Sequence, residues 1–242
     1  MGWVWRIQGV AFRQFVLFKR QWMWLAQSVV ATLGLIAIFG LWGGVEALKH
    51  MVVVLLVVSG WNIGLNIAAQ SIGWDKVSFE YEKMVASPLN PLEYMLGSLI
   101  GAFLPFFASE LPLALLLAAL TGVSLQGLAL VILLSILGTF LGLFLSLSIV
   151  LRLKNPMNVS AVTNPLVTLT TMLPPVYYTP LMLPEPLRAA CIAVPTTVLV
   201  DLGRAATMQA YAYPIPLSLT SLAAWTITTA LLTKFKLKWG LE

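Results

Sequence analysis

Long apolar segments separated by short polar ones make up most of the chain. Six of them have the length of a helix that crosses a bilayer, about 20 largely apolar residues. They cover residues 22–42, 51–72, 95–119, 127–151, 161–182 and 214–233, and are numbered here as spans 1 to 6. Helices are expected because a helix satisfies its own backbone hydrogen bonds in lipid. The pattern predicts an all-α integral membrane protein with six transmembrane helices.

Composition agrees with this prediction. Hydrophobic residues make up 60% of the chain and charged residues 10%, with a mean hydropathy of +0.92, whereas soluble domains carry about 25% charged residues. The one cysteine, Cys191, excludes an intrachain disulfide. The sequence contains no His, Cys, Asp or Glu cluster that resembles a metal or nucleophile site, so neither a metal nor a catalytic residue is predicted.

The basic residues fall mainly on one side of the six spans. That side receives Arg6, Arg13, Lys19, Arg20, Lys76, Lys83, Arg152, Lys154, Lys234, Lys236 and Lys238. The other side receives only Lys49, Arg188 and Arg204. Because basic residues are enriched in cytoplasmic segments, both termini are expected in the cytoplasm. The predicted location is the cell membrane, as a multi-pass protein.

Residues 1–21 are predicted to form an amphipathic helix at the membrane interface. Apolar residues recur there at helical spacing, while Arg6, Arg13 and Arg20 recur every seven residues on another face. The alternative is a plain membrane anchor.

The loop between spans 2 and 3 concentrates charge in a chain that otherwise avoids it. Residues 78–87 are predicted to form a short amphipathic helix that Ser78 caps and Pro88 ends. Its acidic and aromatic pattern suits docking to a soluble partner. The alternative is a solvated loop that only maintains topology.

Two polar stripes run along spans 2 and 5. Each stripe has the spacing of one helical face. The span 2 stripe contains Ser59, Asn62, Asn66 and Gln70, and the span 5 stripe contains Ser160, Asn164, Thr168 and Thr171. Because amides are unfavourable in lipid, the stripes face either each other, as helix packing, or a water-filled pathway.

Two further features lie towards the outer side. Glu110, between Pro105 and Pro112, is the one carboxylate well inside a span, and it is either functional or near water at the outer end of span 3. Residues 183–206 form a proline-rich segment predicted to re-enter the membrane, with residues 187–200 as a short helix. Asp201 and Arg204 are expected to pair at the surface.

Two motifs resemble permease subunits of ABC-2-type ABC transporters. The first is "FEYEKMVASPLNPLEYMLGSLIG", an acidic short helix followed by a Ser-Pro-Leu step and a Tyr-x-x-Gly entry into span 3. The second is "LPPVYYTPLMLPEPLRAACIAVPTTVLVDLGRAA", with Leu-Pro, then Pro-Thr, then an acidic residue and Arg. The six spans agree, so the resemblance extends over nearly the whole chain.

The resemblance implies a single permease domain, residues 1–242, that dimerises as an exporter. Two copies of an ATP-binding subunit would bind ATP and Mg; this chain has no Gly-x-x-x-x-Gly-Lys-Ser/Thr loop of its own. The coupling residues would be Glu80, Tyr81, Glu82, Lys83 and Met84. The substrate pathway would contain Asn62, Asn66, Gln70, Asn164, Thr168 and Thr171. The outer gate would contain Pro184, Cys191, Pro195, Asp201 and Arg204.

The expected partners are the ATP-binding subunit, a second permease copy and membrane lipid, without nucleic acid. The neutral pathway residues suit an amphipathic substrate such as a lipid, a lipid-linked glycan or a hydrophobic drug. The alternatives are a haem-exporter-type permease and a membrane scaffold or enzyme that has no ATPase partner.

Overall fold

The regular secondary structure of the described part of the chain is helical. The computed structural model describes residues 2–20, 22–150, 153 and 155–236, and these contain α-helices and no strand. The helices are α1 Trp3–Arg20, α2 Trp22–Asn62, α3 Ala68–Val77, α4 Glu80–Ala86, α5 Pro91–Ala108, α6 Glu110–Thr121, α7 Leu125–Val150, α8 Val159–Thr171, α9 Glu185–Cys191, α10 Pro195–Ala206 and α11 Ile215–Lys236. The predicted all-α class is confirmed. The basic residues Arg152, Lys154 and Lys238 lie outside the described residues.

Four helical stretches of the described residues are long and apolar enough to cross a membrane. They are Leu25–Val77, Pro91–Ala108, Leu125–Val150 and Ile215–Lys234. The pair α9 and α10, bent by 97°, makes a fifth if it counts as one span. The chain therefore has the architecture of a multi-pass membrane protein.

The longest stretch, Leu25–Val77, includes both predicted span 1 and predicted span 2. Its 53 residues would be about 80 Å long as one straight helix, far more than the roughly 30 Å of a bilayer core. Helical geometry fails inside it at Gly44, where φ is 60° and ψ is −149°. Only glycine adopts that conformation without strain, so the break lies where the sequence allows it.

The second part of this stretch lies at the centre of the molecule. It packs on α7 through small residues, because a Cβ at Gly64 would overlap the carbonyl oxygen of Thr139. On α7, Gly142 faces the backbone of Leu65, and the Ser146 hydroxyl donates to the carbonyl of Gly64 at 3.2 Å. Gly138, Gly142 and Ser146, spaced four residues apart on α7, therefore form a packing surface.

Predicted span 3 is broken into two helices. The sequence predicted one helix over 95–119, but α5 ends at Ala108 and α6 begins at Glu110. Pro112 explains the break because it has no N–H to donate to the Ala108 carbonyl four residues earlier. The break places Glu110 at a helix terminus.

Predicted span 5 is shorter than expected. The sequence predicted a helix over 161–182, but α8 ends at Thr171 and residues 172–179 are not helical. Pro174 and Pro175 follow within four residues and cannot continue the hydrogen-bond ladder. At about 20 Å, α8 alone is too short to cross the hydrocarbon core.

The N-terminal helix α1 packs alongside α5. A Cβ at Gly97 would overlap Val10, and one at Gly101 would overlap Gln14, so the two glycines allow close approach of the helices. The opposite face of α1 exposes Trp5 and Phe12. This distribution agrees with the amphipathic helix predicted for residues 1–21.

Candidate functional site

Some residues of the two predicted polar stripes are hydrogen-bonded to each other. Asn66 Oδ1 accepts a hydrogen bond from Thr163 Oγ1 at 2.7 Å, and a second from Gln70 Nε2 at 2.7 Å. Gln70 Nε2 also lies 3.3 Å from Asn164 Oδ1. These four residues, Asn66, Gln70, Thr163 and Asn164, are called the polar seam below. The sequence had not included Thr163, although it precedes Asn164 directly.

Asn62, Thr168 and Thr171 do not belong to the polar seam. The Thr168 and Thr171 hydroxyls donate to carbonyls of their own helix, those of Asn164 and Val167. Asn62 points into a different cavity. A π-helical turn, Ile63–Ile67, separates Asn62 from Gln70, and its extra residue rotates the next helical turns about the helix axis. The single stripe expected on span 2 was therefore wrong.

One side of the polar seam is open in the single chain. Asn164 and Thr168 are exposed, as is Ser160 one turn earlier. Neutral polar groups at membrane depth require protein or water around them. Near Gln70 and Ser160, a small cleft of about 110 Å³ continues from the seam towards the end of α3.

A larger cavity of about 250 Å³ lies between α2, the π-turn, α5 and α6. Glu110 lines it, and its carboxylate accepts hydrogen bonds from the hydroxyls of Ser28 and Ser109. The α6 helix contains 12 residues, Glu110 to Thr121, so it continues for about 16 Å beyond Glu110. Glu110 therefore lies at the start of α6, inside predicted span 3, and both alternatives for it remain predictions.

The short helix predicted between spans 2 and 3 is present as α4, residues Glu80–Ala86. Ser78 does not cap it. The Ser78 hydroxyl donates to the Trp74 carbonyl at 2.8 Å, so Ser78 ends α3. Phe79 takes the N-cap position in the left-handed conformation, with φ of 59°.

The charged side of α4 is exposed. Lys83 Nζ donates to Glu80 Oε1 at 2.6 Å, and this bond lowers the pKa of Glu80. Glu82 carries no such bond to Lys83 and is exposed, whereas Met84 is half-buried. Tyr81 is buried, so its side chain cannot contact a soluble partner directly.

Sequence reasoning missed Phe79. Its side chain is 64% exposed beside the acidic residues of α4. A left-handed conformation costs a non-glycine residue about 1–2 kcal/mol. The signal available in the sequence was an aromatic residue between a helix-ending serine and an acidic helix. Phe79, Glu80, Glu82 and Lys83 are called the docking surface below.

Behind the docking surface, polar contacts join four elements. Arg13 Nη2 donates to Asp75 Oδ1, and the Tyr94 hydroxyl donates to Asp75 Oδ2 at 2.7 Å. Tyr94 packs edge-on against Tyr81, with ring centroids 6.1 Å apart, and Lys76 Nζ lies 5.3 Å from the Tyr81 ring centroid. This arrangement connects α1, α3, α4 and α5.

A second ion pair fixes the start of α1. Arg6 donates to both carboxylate oxygens of Glu93, at 2.9 and 2.5 Å, and this pairing raises the pKa of Arg6. Glu93 and Asn90 also exchange side-chain to backbone bonds of 2.8 and 3.0 Å, as in a capping box. The pairs Arg6–Glu93 and Arg13–Asp75 are called the brace below.

The proline-rich segment 183–206 contains a buried ion pair. The sequence predicted Asp201 and Arg204 at the surface, but both are buried, with Arg204 Nη1 3.7 Å from Asp201 Oδ1. Asp201 accepts backbone bonds from Ala212 and Tyr213 at 2.9 and 3.0 Å. These bonds bring the chain after α10 back over the pair and cover it.

His50 belongs to the same cluster. Arg204 Nη2 lies 3.1 Å from His50 Nε2 and donates to the Tyr178 carbonyl at 2.7 Å. His50 follows the Gly44 break by six residues, and Asp75, the partner of Arg13, lies 25 residues, about 37 Å, further along the Leu25–Val77 stretch.

The tip between α9 and α10 lies beside the middle of α11. The Ile192 carbonyl accepts a bond from Ser221 and the Ala193 carbonyl one from Trp225, both at 2.8 Å. Trp225 is ten residues, about 15 Å, along α11 from its start at Ile215. The single helix predicted over 187–200 is wrong, because the chain bends by 97° after Cys191.

The three remaining gate residues occupy this bent pair. Pro184 is the N-cap of α9, and Cys191 is its last residue, half-buried and without a disulfide. Pro195 begins α10, a position where its missing N–H leaves no hydrogen bond unmade.

In the described residues, no group of three or more His, Cys, Asp or Glu is placed to hold a metal ion. Comparison with curated proteins gives no match. The family model described as ABC-2 family transporter protein matches residues 44–234, most of the chain. The chain therefore belongs to the ABC-2 transporter family, as a multi-pass membrane permease protein.

Proposed function

We propose that this chain is the transmembrane subunit of an ATP-driven exporter, moved by separate ATP-binding subunits that bind its docking surface. The observation that carries the proposal is that one ten-residue helix, α3, joins that surface to the polar seam. Gln70 lies near its start, Asp75 and Lys76 near its end, and α4 follows within three residues. A force applied at α4 would therefore reach the seam through a single rigid element.

The docking surface suits a soluble partner. Phe79 offers an exposed aromatic side chain, and Glu82 and Lys83 surround it with charge. Central aromatic anchors with a polar rim are typical of protein interfaces. Tyr81 and Met84 support the docking surface from its buried side. Tyr81 packs on Tyr94, whose hydroxyl is bonded to Asp75, so movement of α4 would reach both residues.

The brace gives the docking surface a rigid support. Without it, motion of α4 would be absorbed by the loop before α5. With it, α1, α3 and α5 move together, so the docking surface and the seam remain mechanically connected. Both ion pairs lie on the side to which the sequence assigned the cytoplasm.

Six crossings result if the break at Gly44 separates spans 1 and 2, and α5 with α6 form span 3. The α8 helix then covers only part of its crossing. The bent pair α9–α10 would fill the part of the membrane thickness that α8 leaves uncrossed. It would enter from the outer side, as a re-entrant outer gate. Its tip, about 15 Å along α11, supports this proposal.

The exposed side of the polar seam supports a pathway between two copies of this chain. Asn164 and Thr168 would face the second copy or the water between the copies. Because the seam is neutral, an amphipathic substrate with a polar, uncharged part fits it best.

The test uses the ATP-binding subunit that purifies with this chain from native membranes. The double variant Glu80→Lys with Glu82→Lys should reduce ATP hydrolysis by the reconstituted complex at least tenfold, with normal membrane insertion. The matched control is Glu185→Lys, an exposed carboxylate at the opposite end, which should leave hydrolysis unchanged.

Phe79→Ala should weaken association of the two subunits, whereas Trp74→Ala, at an equally exposed tryptophan on α3, should not. Unchanged association and hydrolysis in all docking-surface variants would contradict the proposal.

A further inference from the structure

The Glu110 cavity is separate from the polar seam. It lies within one subunit, between the two parts of α2, the π-turn and the α5–α6 break, and shares no residue with the seam. It is lined by Leu25, Gln27, Ser28, Ala31, Ser59, Asn62, Ile63, Ile67, Phe106 and Glu110.

The only carboxylate in this lining is Glu110. Among the described residues, no lysine, arginine or histidine lies within ion-pair distance of it. Its polar contacts are the hydroxyls of Ser28 and Ser109, which both donate to it. A carboxylate that has no basic partner in a largely apolar wall is complementary to a cationic group.

The rest of the wall suits the surroundings of an ammonium group. Asn62 and Ser59 supply neutral oxygens that can accept from an N–H, while Phe106 supplies an aromatic ring. Aromatic rings attract ammonium groups through their negative faces. Leu25, Ile63 and Ile67 supply apolar contact for the carbon atoms next to the charge.

The size of the cavity restricts the ligand. A volume of about 250 Å³ is below the roughly 300–1,000 Å³ typical of whole-ligand pockets. It has room for an ammonium group and a few carbons. A sugar phosphate would also bring a negative charge next to Glu110, so the cavity selects against it.

We propose that the Glu110 cavity binds the ammonium group of an amphiphile whose hydrocarbon chain extends into the bilayer. The inference goes beyond the proposed transport function, since this ammonium site is separate from the neutral polar seam that the transported substrate would follow. Binding itself requires no ATP-binding subunit. The ammonium group can belong to a single-chain amine or to an aminophospholipid.

The test is photolabelling of the purified permease in phosphatidylglycerol nanodiscs, which contain no ammonium lipid. The probe is dodecylammonium with a diazirine near its head, and the matched neutral probe is the corresponding dodecanol. We expect saturable labelling of the peptides that contain Asn62 and Phe106. Glu110→Gln should raise the half-saturation concentration of the ammonium probe at least tenfold without changing labelling by the alcohol.

Two further variants keep the test independent of folding. Glu185→Gln removes an exposed carboxylate and should leave labelling unchanged. Ala31→Phe places a larger side chain in the cavity wall while keeping Glu110, and should reduce labelling by both probes. If Glu110→Gln elutes as a folded protein and binds both probes as the unaltered chain does, the proposal is wrong.

Phosphatidylethanolamine in the nanodiscs identifies the source of the ammonium group. Competition with the probe would support the proposal with a lipid as ligand, and absence of competition would support it with a single-chain amine. Because no nucleotide or ATP-binding subunit is present, failure of this test would leave the docking proposal standing.

Discussion

The Arg13–Asp75 ion pair gives the sharpest quantitative expectation for the brace. The Asp75 side chain is 5% exposed and that of Arg13 is 23% exposed. Asp75 also accepts the Tyr94 hydroxyl, so its charge is held by two donors. Removing one partner of a fully buried pair costs about 3–5 kcal/mol. Because Arg13 retains some contact with solvent, we expect a coupling energy of about 2 kcal/mol for this pair.

The measurement is a double-mutant cycle with Arg13→Gln, Asp75→Asn and the double variant, read by amide hydrogen exchange of residues 3–20 in nanodiscs. A loss of about 2 kcal/mol corresponds to an approximately 30-fold increase in the opening of α1. The matched control is the exposed pair Glu80–Lys83, with side chains 36% and 70% exposed. Such i, i+3 pairs contribute only about 0.2–0.5 kcal/mol.

The expected result is a large coupling for the first pair and a small one for the second. Equal coupling in the two pairs, or unchanged exchange of α1 in Asp75→Asn, would refute the reasoning. The α1 helix would then be held by lipid and apolar packing alone, which is the plain-anchor alternative.

Three other expectations concern packing and access. Gly64→Ala should lower the melting temperature of the purified protein because its Cβ would overlap α7, whereas Gly34→Ala, with open space around it, should not; similar changes in both would contradict the packing. A cysteine at position 164, in place of Asn164, should react with a water-soluble thiol reagent. Labelling only by lipid-soluble probes would show that the seam is a helix-packing contact and not a water-filled pathway. Cys191 should react slowly with a charged reagent from outside and faster during ATP turnover, while nucleotide-independent rapid labelling would argue against a gate.

Structural features that depend on a single segment could be predicted from the sequence. The helices α7 and α11 follow from uninterrupted apolar runs, and α4 from charge placed around a short apolar face. The break at Ser109 was also within reach, since Pro112 removes the donor that the Ala108 carbonyl needs. Local patterns specify such features because the cause and the effect lie within one or two turns.

Features that depend on contacts between distant segments could not be predicted in this way. Spacing predicted the Asp201–Arg204 pair, but its burial depends on residues 212 and 213 returning over it. The π-turn that separates Asn62 from Gln70 has no sequence signal in an apolar run. The brace joins Arg13 to a partner 62 residues away, so only the packing of α1 on α5 identifies it.

The link between ATP hydrolysis and movement at the polar seam can be measured in one experiment. Asn164→Cys, in a Cys191→Ser background and reconstituted with the ATP-binding subunit, is labelled from each side with and without ATP and vanadate. We expect the rate of labelling to change with nucleotide by at least fivefold, and this change to disappear in the Glu80→Lys, Glu82→Lys variant. A labelling rate that nucleotide leaves unchanged in an actively hydrolysing complex would contradict a permease driven through α3.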